Sequence, residues 1–75
     1  MHEVANILMR SYPNWIEHPT TDANFVYQCK DSVMTIFSDG SWHCEIPQRL
    51  SKAIRKGNVS TLEGFLKDFD AANPR

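Results

Sequence analysis

The chain has 75 residues and a formal net charge of −1, which bounds it to one domain and excludes a protein that is basic overall. A domain of this length buries only about 60% of its unfolded-state surface, which argues against a deep catalytic cleft and for a surface that works by contact. The charge is uneven: residues 1–48 carry two basic against six acidic residues, residues 49–57 four basic and none acidic, and residues 58–75 two basic against three acidic.

Val4, Ile7 and Leu8 repeat at helical spacing and Tyr12 continues the stripe, so the chain opens with an amphipathic helix of about three turns, stopped by Pro13. Glu3 falls in its first turn, where the helix dipole favours a negative charge. Residues 13–24, PNWIEHPTTDAN, read as a connecting loop that Trp15 and Ile16 anchor to the core. Phe25 to Lys30 has strand alternation, with Phe25, Tyr27 and Cys29 expected on the buried side after a three-residue link to the next strand.

Ser32 to Ile46 is two apolar runs joined by Ser38-Asp39-Gly40-Ser41. Asp-Gly between alternating hydrophobics signals a hairpin, because both central residues of a type I′ turn need positive φ. A two-residue Asp39-Gly40 loop pairs Phe37 with Trp42, Ile36 with His43 and Thr35 with Cys44. The buried face is then Val33, Thr35, Phe37, Trp42, Cys44 and Ile46, and the outer face Met34, Ile36, His43 and Glu45.

Pro47 suits the first position of a helix. Leu50, Ala53 and Ile54 would be its buried stripe, and Gly57 its terminator. Ser60 and Glu63 form a capping-box pattern, followed by Leu62, Phe65, Leu66 and Phe69 on one helical face up to about Ala72, before Pro74. The expected architecture is a single α+β domain over 1–75: a three-stranded antiparallel meander with helices packed on it, in the order α-β-β-β-α-α.

Candidate chemistry is thin. His43 and Cys44 are strand neighbours pointing to opposite faces, so they can neither chelate one ion together nor form a nucleophile and base. No C-x-x-C or H-x-x-x-H spacing occurs, and a meander separates Cys29 from Cys44 by about 10 Å of sheet, too far for a disulfide. No metal, cofactor or enzymatic activity is expected. The N-terminus has no basic leader and no window approaches the ~18 apolar residues of a span, so a cytoplasmic location with reduced thiols, and no membrane, is expected.

Two surfaces remain. Arg49, Lys52, Arg55 and Lys56 would share a basic helix over 48–56, and Met34, Ile36, His43 and Glu45 would line an exposed sheet face. Together they make a non-enzymatic protein-binding module the preferred reading. Its expected setting is a phage or mobile-element inhibitor that masks a host protein complex, such as a defence system. The alternative is a small nucleic-acid-binding domain using the basic helix. A homodimer is a third partner class that the sequence admits.

Overall fold

A computed structural model describes residues 2–19 and 24–72. The expected loop residues 20–23 and the stop signal at Pro74 lie outside them. The order is α1 (His2–Met9), β1 (Ile16–His18), β2 (Phe25–Cys29), β3 (Ser32–Ile36), β4 (Trp42–Pro47), β5 (Lys52–Gly57) and α2 (Val59–Ala72). The five strands form one antiparallel sheet in chain order, with both helices joined to the same buried cluster. The α+β class and the antiparallel sheet match the sequence expectation; the strand count and element order do not.

In α1 the buried side chains are Ala5 and Met9, with Leu8 and Tyr12 packed beside them. The stripe is therefore turned from the expected one, and Val4 and Ile7 are 54% and 63% exposed. Past Met9 the chain tightens through bonds from Arg10, Ser11 and Tyr12 amides to carbonyls three residues back, satisfying the helix's terminal carbonyls before Pro13. Trp15 is buried as expected, against Phe69 at 5.0 Å between ring centroids. Ile16 does not join it: it is exposed and begins β1, which pairs Ile16 with Gln28 and His18 with Val26.

The β3–β4 register corrects the expected hairpin. Ile36 faces Trp42, Thr35 faces His43 and Met34 faces Cys44, one residue out of the expected phase. The loop is the cause. Gly40 N–H donates to Phe37 O at 2.9 Å, Phe37 N–H donates to Ser41 O at 2.8 Å, and Gly40 has φ 91°. This is a three-residue loop, Ser38-Asp39-Gly40, closed by a left-handed glycine rather than a two-residue turn. The Asp39 carboxylate accepts from both the Ser41 hydroxyl and amide, and those bonds, the hydroxyl first, hold its pKa below the ordinary 3.8. Because side chains alternate, a one-residue slip exchanges the two faces of β3. Met34 and Ile36, expected outside, have no exposed surface, whereas Val33, Thr35 and Phe37, expected inside, are only half-buried.

The β2–β3 link errs in the compensating direction. Cys29 pairs with Ser32, so the loop is Lys30-Asp31, with Lys30 at φ 55°, rather than three residues. Two shifts of one cancel, and Tyr27 and Cys29 are buried as expected, with Phe25 packed beside them. The Tyr27 hydroxyl donates to Asn6 Oδ1 on α1.

The largest correction falls on residues 48–56. There is no basic helix; Lys52–Gly57 is strand β5, the far edge of the sheet. It pairs Lys52 with Pro47, Ile54 with Glu45, Arg55 with Cys44 and Gly57 with Trp42. A nine-residue helix with three apolar residues is marginal by itself. Pairing with β4 instead gives that strand a backbone partner along its whole length, Trp42 to Pro47.

Helix α2 begins a residue before the expected capping box. Asn58 caps it: Asn58 Oδ1 accepts from the Ser60 amide at 3.0 Å and from the Ser60 hydroxyl at 2.5 Å, the usual service of an N-cap side chain. Leu62 and Leu66 are fully buried and Phe65 and Phe69 packed against the core, as their spacing predicts.

Candidate functional site

Opposed residues in an antiparallel pair share a face, so the β4–β5 register sorts the basic residues. Ala53, Arg55 and Gly57 stand on the helix side, beside Ile46, Cys44 and Trp42; Lys52, Ile54 and Lys56 stand on the open side, beside Pro47, Glu45 and His43. Arg49 lies in the exposed 48–51 loop that a Gln48 amide bond to Ser51 O closes. The four cations do not form one stripe. Lys52 reaches Glu45 at 3.7 Å, and both are about half exposed; such a pair contributes little to stability.

On the helix side, small residues in β5 leave a groove between this strand and α2. Its volume is about 620 Å³, and Trp42, Ile46, Phe65 and Phe69 supply its apolar wall, with Arg55, Lys56 and Asp68 at its margin. Trp42 is its keystone. The indole N–H donates to Asn58 O at 2.8 Å, and the ring packs against Phe65 with centroids 4.8 Å apart, with Phe65 in turn 5.9 Å from Phe69. Gly57 is needed here for space: a Cβ on it would lie 2.2 Å from Thr61 Oγ1 and 3.1 Å from Trp42 Cζ2.

The residues expected to make the other half of a contact surface are split by the register. His43 and Glu45 are on the open face, His43 against the Phe37 ring at 5.2 Å. Met34 and Ile36 are core residues with nothing to offer a partner. The open face instead carries Val26, Gln28, Val33 and Thr35, all half-buried, and a bond between His18 Nε2 and Gln28 Oε1 at 2.8 Å.

The chemistry of the buried groups is quiet. Cys29 and Cys44 are free thiols. Burial, with smaller contributions from Cys29 and Glu45, pushes Cys44 up to about 12, and burial also raises Cys29; neither holds the thiolate that nucleophilic attack or metal ligation needs. Burial, with help from Glu17, raises Tyr27 to about 12. Cys44 is buried while its neighbour His43 faces the open side, as the strand alternation predicts. Among the described residues no three His, Cys, Asp or Glu side chains gather as a metal site, and no helix is long and apolar enough to cross a membrane.

Trp42, Phe65 and Phe69 were legible only as core residues. A groove wall and a sealed core use the same side chains, and the difference lies in what covers them. The faint signal was the pair of small residues Ala53 and Gly57, an even number of positions apart and so on one face of a strand, inside a segment that also fits a helical stripe. The chain matches no family model and has no significant match among curated proteins or solved structures.

Proposed function

We propose that the chain is a non-enzymatic protein-binding module that takes an extended segment of its partner as an added strand on β5. One observation carries this reading. The six residues of β5 form a sheet edge to which, among the described residues, no strand is paired, and an apolar groove of about 620 Å³ opens beside it. In strand addition the main-chain bonds give affinity, and pockets for alternate side chains give specificity. The half-buried rings of Phe65 and Phe69, backed by the buried Trp42, supply the kind of surface that anchors interfaces.

The partner segment would be withdrawn from its own contacts, so the module acts by masking. The phage or mobile-element inhibitor of a host complex expected from the sequence is a setting in which that action is useful. The nucleic-acid alternative loses support. Its basic helix is a strand, and its four cations point in different directions, one of them beside a carboxylate.

The test is hydrogen exchange on the chain alone and with a partner captured from lysate. Slowed exchange in β5 and in the first turns of α2 supports the reading. Protection confined to the open face around Val26 and Thr35 overturns it. A gel shift with duplex DNA and RNA at low salt should stay flat, since a phosphate-dominated contact is strongest there.

A further inference from the structure

We infer that the segment accepted by β5 is acidic and β-branched, with a large apolar residue opposite Gly57, and that β5 rejects a second copy of itself. This rests on the strand-addition reading above and specifies its ligand.

The argument is the cross-strand arithmetic of the edge. On its open side β5 presents Lys52, Ile54 and Lys56 in a row, and Ile54 is 58% exposed. An added antiparallel strand would place one residue opposite each. Opposite charges facing across a sheet stabilise by about 0.2–1 kcal/mol each, and like charges destabilise. Carboxylates across from Lys52 and Lys56 are therefore favoured, and a β-branched residue between them covers Ile54.

On the helix side Thr61 and Trp42 already fill the space over Gly57, so a ring on the residue across from it stands beside the glycine, at the mouth of the groove that Phe65 and Phe69 line. Arg55, on that same side, makes no ion pair with the nearby Asp68 and adds positive potential at the groove margin.

The same arithmetic disfavours self-pairing. Two β5 strands crossing about a two-fold axis at Ile54 set Lys52 against Lys56 twice, on one face, with Arg55 opposite Ala53. Lysines on an edge are a common guard against such pairing. Here they also select by charge.

The experiment titrates the full chain with a capped hexapeptide, Phe-Glu-Val-Ile-Val-Glu, whose antiparallel register sets Phe across from Gly57 and the two Glu across from Lys56 and Lys52. Two controls replace both Glu with Lys, or methylate alternate backbone nitrogens of the acidic peptide. The acidic peptide should bind at least about tenfold tighter than its lysine counterpart, because two attractive pairs become two repulsive ones. The double variant Lys52→Glu with Lys56→Glu should reverse that order, with circular dichroism confirming that it folds.

Equal affinity for acidic and basic peptides overturns the charge inference while leaving strand addition standing. Undiminished binding of the methylated peptide, or no binding by any of the three, overturns strand addition itself and the inference with it. A β5-mediated dimer of the unmodified chain in sedimentation equilibrium overturns the exclusion of a second copy.

Discussion

The two edges of the sheet solve the same problem by different means. Both β1 and β5 leave a row of backbone groups without a partner strand among the described residues, which invites unwanted pairing. At one edge β1 is three residues long and is followed directly by Pro19, so a second strand would find too short a ladder to hold. At the other, β5 is six residues long with no proline and is guarded only by charge. Shortness refuses every partner, whereas charge refuses some and admits others. That difference is why we propose the interaction surface at β5 and not at β1.

The contrast can be broken first at Trp42. Trp42→Ala removes a buried ring, its contact with Phe65 and its bond to Asn58 O, and should cost about 3–5 kcal/mol in urea denaturation. Ile16→Ala in β1 should stay within about 0.5 kcal/mol. Comparable losses would show that β1 is as closely tied to the core as the wall of the groove beside β5. Next in size is Gly57→Val, which forces Thr61 and Trp42 to move and should cost about 1–3 kcal/mol by overpacking. It also fills the approach to the groove, so binding of the acidic hexapeptide should fall further than stability does.

Between the edges, the central strands set the alkaline limit. Tyr27 and Cys44 keep their protons to about 12 in the folded chain, against 10.0 and 9.0 when unperturbed. The unfolded chain gives up protons first, so this stability is full below about pH 9 and is lost as pH rises toward 12. Thermal melts across that range should show a fall that Cys44→Ala makes shallower. The smallest effect on stability belongs to the guard itself. Replacing Lys52 and Lys56 with Thr should alter unfolding by no more than about 0.5 kcal/mol yet raise self-association in sedimentation. The same replacement of Glu17 in β1 should leave the sedimentation profile unchanged.

Local chemistry made much of the fold legible. Glu3 and Pro13 bound the region of α1, strand alternation marked β2, and the 62-65-66-69 spacing marked α2. Each was readable because its signal sits within one element. The hairpin was half legible: Asp39-Gly40 announced a reversal, but not whether Gly40 would be the second of two loop residues or the last of three. That single choice moved Met34 and Ile36 from a contact surface into the core. The groove proposed for docking was the least legible, because Phe65 and Phe69 look the same whether a groove is open or sealed.

By itself, then, the amino-acid sequence determined the class, the antiparallel central strands, the final helix and the separation of His43 from Cys44, because each follows from spacing along the backbone. The tertiary structure alone decided the loop register and the identity of β5. Lys52 to Gly57 carries both a helical stripe and a strand alternation, and its own propensities are too weak to choose. The choice falls to β4, whose outer backbone groups find a partner when this segment lies beside them as a strand.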